Sequence, residues 1–209
     1  MEGVRDLLRN RAAAVNLSLS TALEDKLEAY FELLVRWNAT INLTSLQIDP
    51  PAGTAIDRLL IEPVRAAALV DPNISIWFDL GSGGGSPAIP LQLAKPAKRL
   101  IMVESRDRKA AFLREVIRSL PVSGAEVQVL RIEQVTEEPH NAGLADLVTA
   151  RAVRMDASLL GRIQTLLRFR GQAILFGAQV RSRDLPRGLE RTDSPSDLTD
   201  AVVLRRSGL

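Results

Sequence analysis

Apolar positions in the first third of the chain recur at helical spacing. Leu23, Leu27, Tyr30, Leu34, Trp37 and Ile41 follow one another every three or four residues, which gives one apolar face to a helix ending between Asn38 and Thr44. Thr21 with Glu24 reads as a capping box at its start. A second helical stretch, Ile56 to Val70, follows the breaker DPPAG and stops before Asp71-Pro72.

From residue 74 the period changes. The runs ISIWFDL, RLIMVES, EVQVLRI, ADLVTAR and QAILFG are short and apolar, and they alternate with helical segments led by DRKAAFLREVIRSL and DASLLGRIQTLLRF. This alternation predicts buried parallel strands joined by crossover helices. The expected architecture is α/β: a mainly parallel, doubly wound, Rossmann-like sheet over residues 71–209, with residues 1–70 as a helical extension packed on that core. AVVLRR supplies a last strand, and the polar, punctuated stretch from Arg181 to Ser196 predicts a long loop.

Composition narrows the chemistry. The chain has no cysteine, which excludes disulfides, thiolate metal sites and cysteine nucleophiles. Its single histidine, His140, lies in the polar segment TEEPHNAG, so neither a histidine metal site nor a Ser-His-Asp triad is expected. No stretch approaches the ~18 apolar residues of a membrane span, and arginines interrupt the apolar residues at the start, so the expected location is the cytoplasm.

Net charge is only +2, yet it is unevenly spread. Of 27 basic residues only Lys26, Lys95, Lys98 and Lys109 are lysines. Between Arg151 and Arg191 the arginines far outnumber Asp156, Asp184 and Glu190. Guanidinium forks onto phosphate and stacks on bases, so this segment is a candidate polyanion surface; an ordinary solvated arginine surface has the same composition.

The first strand runs into DLGSGGGSPAIP, residues 79–90, at the strand end where open α/β sheets hold their ligands. Gly81, Gly83 and Gly85 make G-x-G-x-G, and Ser86 stands where a dinucleotide fold has its third, helix-packing glycine. Asp79 sets a carboxylate beside the loop, suited to a ligand ammonium, and Glu104 follows Gly81 at close to the ~20-residue spacing of an acid that accepts from ribose hydroxyls. Local capping by Asp79 and Glu104 is the alternative. No Lys-Ser or Lys-Thr follows the glycines, which argues against a Walker loop. Together these features favour S-adenosylmethionine. Gly81→Val is then expected to abolish its binding and leave the fold largely intact.

The chain resembles the bacterial small-subunit ribosomal RNA guanine-N7 methyltransferases, the glucose-inhibited division protein B family. Five blocks match in order: LLVRWNATINLTS at 33–45, DLGSGGGSPAIPL at 79–91, VESRDRKAAFLREV at 103–116, RIEQV at 131–135 and DLVTARAV at 146–153. The resemblance implies an S-adenosylmethionine-dependent methyltransferase fold acting on 16S ribosomal RNA or the small ribosomal subunit, with no metal, as a monomer. It places Gly81, Ser86 and Glu104 on the cofactor, Ile132 and Glu133 near its adenine, and Arg151 beside the reacting centre. Arg58, Arg154, Arg181 and Arg183 are the arginines expected to hold RNA.

Departures from the family pattern are specific. An RHILDSL-like segment reads Arg58-Leu59-Leu60-Ile61-Glu62-Pro63-Val64, without the histidine, and Phe176-Gly177 replaces a lysine-glycine pair. A methyltransferase with a non-RNA substrate, or an RNA-binding relative without turnover, shares these features.

Overall fold

The computed structural model describes residues 3–192 and 200–208. Helices α1 (Val4–Ala14) and α2 (Thr21–Asn38) come first. A composite helix follows, built of α3 (Gly53–Ile56), a π turn (Asp57–Ile61), α4 (Glu62–Ala66) and a 3-10 turn (Ala67–Leu69). The remainder alternates: β1 (Ile76–Leu80), α5 (Ala88–Ala94), β2 (Arg99–Val103), α6 (Asp107–Ser119), β3 (Ala125–Gln128), α7 (Ile132–Glu137), β4 (Ala145–Arg151), α8 (Ala157–Leu166) and β5 (Leu167–Phe176). Short β6 (Leu189–Arg191) and β7 (Val202–Arg206) close it.

The sheet order is β3-β2-β1-β4-β5-β7-β6. Strands β1 to β5 run parallel, and β7 is antiparallel to both its neighbours. Alternation along each strand divides the core between the two faces. Trp77, Leu100 and Met102 face a cluster that also buries Leu8, Leu27, Phe31 and Leu60 from the N-terminal helices, with Phe112 from α6. Phe78, Leu80, Ile101 and Val103 face the opposite cluster, with Leu160 and Ile163 of α8. Among the described residues no helix is long and apolar enough to cross a membrane.

Four expectations about elements are corrected. The N-cap of α2 is Ser20, whose hydroxyl accepts from the Leu23 amide at 3.3 Å, while Glu24 is taken by Arg9 at 2.9 Å rather than by a capping box. A serine cap of this kind is worth about 1 kcal/mol. The segment EVQVLRI is strand only to Gln128, and Ile132 already opens α7. Leu167 to Phe169 belong to β5 and not to the preceding helix, because Leu167 pairs with Ala145 of β4. The polar stretch after Arg181 holds a 3-10 turn (Ser182–Asp184) and β6; its residues 193–196 lie outside the described residues.

The composite helix has a local cause and a consequence for the glycine loop. Pro63 has no N–H to give the carbonyl of Leu59, four residues back, and the helix widens to a π turn there. The Ser86 hydroxyl donates to that Leu59 carbonyl at 2.9 Å. A proline in one element thereby ties the glycine loop to it.

Candidate functional site

The sheet reverses its winding between β1 and β4, and a cleft of about 550 Å³ opens there at the carboxyl ends of the strands. Its floor is the loop after β1. Gly81 (φ +72°), Gly83 (φ +52°) and Gly85 (φ +87°) all adopt the left-handed backbone that glycine takes without strain. Main-chain bonds fix the loop to its neighbours: the Gly81 and Ser82 amides donate to the Val103 carbonyl at 2.9 and 3.0 Å. The buried Tyr30 hydroxyl of α2 donates to the Gly84 carbonyl at 2.6 Å, and burial pushes that phenol well above its usual range.

Glu104 makes the local capping bonds. One carboxylate oxygen accepts from the Gly83 amide at 2.9 Å, and the other accepts from the Arg106 amide at 2.9 Å, at the start of α6. Each oxygen keeps a lone pair for a further donor.

Asp79 is buried below the loop. Its Oδ1 accepts from the Thr149 hydroxyl at 2.5 Å, which in turn accepts from the Trp77 indole N–H at 2.8 Å. Its Oδ2 has no hydrogen-bond partner among the described residues. Desolvation raises its pKa to about 6, against the opposing hydrogen bond of Thr149 and the charge of Arg151.

Arg151 ends β4 and is followed by Ala152 at φ +55°, a strained conformation for a residue with a Cβ. Its Nη2 lies 2.7 Å from Glu62 Oε2, and its guanidinium carbon sits 4.7 Å from the ring centroid of Phe176. Burial, reinforced by the like charge of Arg58 and opposed by Glu62 and Asp79, lowers its pKa. Nε and Nη2 are buried without a hydrogen-bond partner among the described residues, and Arg151 lines the cleft.

The structure brings Gly81, Gly83, Ser86, Glu104, Arg58 and Arg151 onto one cleft wall. Asp79 lies beneath it and Gly85 is turned into packing, where an added Cβ would meet Ile89 at 3.0 Å. Ile132 and Glu133 open α7, after the neighbouring strand β3, and do not line the cleft. Arg154, Arg181 and Arg183 are exposed beyond its rim. The side chain of Ser86 is engaged with Leu59, so it is the loop's anchor. At Gly81 an added Cβ would lie 2.7 Å from Val153 Cγ1, so Gly81→Val disturbs the fold as well as the cleft, contrary to the expectation from sequence.

The segment from Asn42 to Leu46 also lines the cleft. Asn38 shapes it, its Oδ1 accepting from the Leu43 and Thr44 amides at 2.8 and 3.0 Å. This gives the RWN...NLT block a physical role: the asparagine at the end of α2 folds the next residues over the glycine loop. The signal was present as a motif, but neither periodicity nor charge marks it as a site.

Comparison with known proteins settles the family. The profile described as rRNA small subunit methyltransferase G (GidB) matches residues 23–192. The chain belongs to that family. Ribosomal RNA small subunit methyltransferase G of Roseiflexus sp. (strain RS-1) is 31% identical over 204 residues, covering 98% of this chain and 79% of the relative. The Acidiphilium cryptum (strain JF-5) protein of the same name is 33% identical over 210 residues, covering 98% of this chain and 94% of its own. Among solved structures, the Escherichia coli protein yhhF superposes with a TM-score of 0.54 at 13% identity, over 70% of this chain and 87% of its own, which is a likeness of fold.

Two side chains from other elements hold Arg151. Glu62 supplies the ion pair and Phe176 the ring beneath the guanidinium. Leu59 contributes the carbonyl that holds Ser86.

Proposed function

We propose that this GidB-family chain transfers a methyl group from S-adenosylmethionine to N7 of a guanine in 16S ribosomal RNA, acting in the cytoplasm as a monomer whose residues 1–70 form a helical extension of the methyltransferase core. The observation that carries the reading is the convergence of the left-handed glycine turn, Glu104 and Arg151 on one cleft, with the unpartnered Asp79 Oδ2 buried beneath its floor. The residues suit the cofactor: Gly81 and Gly83 leave the backbone open, Glu104 retains lone pairs for ribose hydroxyls, and Asp79 offers a carboxylate oxygen to the ammonium. Ser86 takes its part through the main chain, Gly85 by shaping the turn, and Ile132 with Glu133 by flanking the adenine from the adjoining strand end.

S-adenosylmethionine supplies a sulfonium methyl. Guanine N7 carries a lone pair and no proton, so the chain needs no general base. Its contribution is positioning and desolvation, worth up to ~7–11 kcal/mol for a well-oriented pair. Arg151 offers its guanidinium to guanine O6 or a phosphate. A fork covering both O6 and N7 would block transfer, so the contact assigned to Arg151, whose Nη2 lies beside Glu62, is to O6 or a phosphate and leaves N7 open to the methyl. Arg58 adds a second cation in the cleft, while Arg154, Arg181 and Arg183 extend the RNA contact outside it.

Borohydride and aniline cleavage of 16S ribosomal RNA from cells with and without the gene tests the reading. One cleavage site is expected to vanish in its absence; an unchanged pattern sinks it.

The proposed ammonium contact also sets a pH dependence. Asp79 titrates near 6 when folded against an ordinary value of 3.8, so folding binds its proton. That group's contribution to stability is full below pH 4 and lost as pH rises through 6. An ammonium prefers the ionised form, so cofactor affinity is expected to rise with pH up to about 6, approaching about tenfold per unit, and then level off. Calorimetry from pH 5 to 8 checks this, and Asp79→Asn is expected to flatten the curve. A wild-type curve already flat removes Asp79 from the contact.

A further inference from the structure

Strand β5 begins at the end of the sheet away from the cleft: Leu167 pairs with Ala145 at the start of β4, whereas Phe176 pairs with Arg151 at its end. Its first turn outward is unusual. Arg168, Phe169 and Arg170 are all exposed before the strand becomes buried, and Phe169 is 56% exposed, the large apolar side chain that stands out among the described residues. Arg170 adopts φ +64°, which a residue with a Cβ rarely takes, and the ladder to β4 slips between Ala145 and Leu147. Gly171 admits no Cβ, which would lie 2.7 Å from the Ala145 carbonyl. The backbone is thus bent so that an aromatic ring faces solvent, in a sheet whose apolar residues are otherwise inside. Strain of this sort collects at functional positions.

The surroundings of the ring are cationic. The Arg170 guanidinium carbon lies 5.3 Å from its centroid. A cavity of about 570 Å³ beside it is lined by Gln164, Arg168, Phe169, Arg187 and Arg206, among others. Arg168 is held by Asp146, and Arg206 Nη1 donates to the Gln164 carbonyl at 3.1 Å and to the Leu167 carbonyl. Glu190 is the neighbouring acid, bonded to Ser207 at 2.8 Å. Neither Arg170 nor Arg187 has a carboxylate within ion-pair distance among the described residues. An aromatic platform with unpaired guanidiniums beside it is the arrangement that takes an unstacked nucleotide, base on the ring and phosphate on the arginines.

We infer that the Phe169–Arg170–Arg187 surface is a second RNA contact, taking an unstacked nucleotide of the same ribosomal RNA whose guanine enters the cleft. This inference rests on the proposed function. The rise along β5 from Phe169 to Phe176, at ~3.3 Å per residue, separates the two contacts by roughly 23 Å. An RNA of only a few nucleotides does not reach both, so the surface favours longer ribosomal RNA over a very short fragment carrying the same guanine.

The test is a Phe169→Ala/Arg187→Ala double variant of the full chain, both positions being exposed, assayed on whole 16S ribosomal RNA. The KM for RNA is expected to rise at least about tenfold, with kcat at saturating RNA, S-adenosylmethionine affinity and the circular dichroism spectrum unchanged. An unchanged KM beside normal wild-type turnover overturns the surface alone. A variant that changes from dimer to monomer in sedimentation with its KM intact also overturns it, in favour of contact between copies. Wild-type protein that neither binds nor methylates 16S ribosomal RNA overturns the proposed function and this surface with it.

Discussion

Arg151→Ala is expected to lower methyl transfer at least about a hundredfold while S-adenosylmethionine still binds. Removing one well-placed donor from a buried site typically costs ~10²–10³ in turnover, and the Arg151 side chain lines the cleft. The same change removes the Arg151 charge from beside Glu62, whose side chain is 17% exposed. Breaking a fully buried pair costs ~3–5 kcal/mol, and partial exposure of Glu62 reduces that. Lower thermal stability is therefore expected too, and alanine alone does not separate chemistry from folding. Arg151→Lys does. Lysine keeps the charge beside Glu62 and Phe176, but one ammonium on a flexible stem does not hold the ion pair and face the cleft in fixed geometry. Its thermal midpoint is expected near wild type with turnover still strongly reduced. Full turnover in the lysine variant, measured with labelled cofactor, would remove the positioning role assigned to the guanidinium.

The residues around Arg151 show which parts of the site sequence reveals. The strand runs, the glycine turn and Glu104 were legible because each carries a local signature: apolar period, positive-φ residues and an acid at a strand end. Arg151 was legible through its motif. Its partners were not. Glu62 lies in a helix and Phe176 at the far end of β5, and only the packing of the composite helix against the sheet brings them to one guanidinium. In sequence neither carries a local signature that ties it to Arg151. The fold misreadings have a similar origin. Leu167 and Phe169 suit a helix or a strand equally, and pairing with Ala145 decides between them. Thr21 and Glu24 have capping-box spacing, but the salt bridge to Arg9 takes Glu24 and Ser20 caps one residue earlier. In each case a contact distant in sequence overrode a local preference.

Gly83→Val is expected to abolish detectable S-adenosylmethionine binding with the fold retained, because the three left-handed glycines of the loop are not equivalent. At Gly81 a Cβ collides with Val153, and at Gly85 it presses on Ile89, Leu113 and Tyr30, so substitutions there strike packing first. At Gly83 the nearest atoms to an added Cβ are the Gly81 carbonyl oxygen at 3.7 Å and Lys109 Nζ at 4.0 Å, ordinary contacts, with the cleft beyond. A valine side chain would therefore occupy ligand space. Its backbone cost remains, since φ +52° carries a penalty of roughly 1–2 kcal/mol for a residue with a Cβ, and more when it is β-branched. For a chain of this size each kcal/mol lowers the thermal midpoint by about 2–4 °C, so the variant is expected to melt several degrees lower yet fold at 25 °C. Gly83→Ala is the milder companion, with similar backbone strain and a single methyl in the cleft. Cofactor affinity is expected to fall in the order glycine, alanine, valine, while alanine and valine share most of the stability loss. Calorimetry and thermal melts on the same samples read both series. Wild-type cofactor affinity in Gly83→Val would place the cofactor elsewhere in the molecule, and affinity that tracked stability alone would make the glycine a folding requirement and not part of the ligand surface.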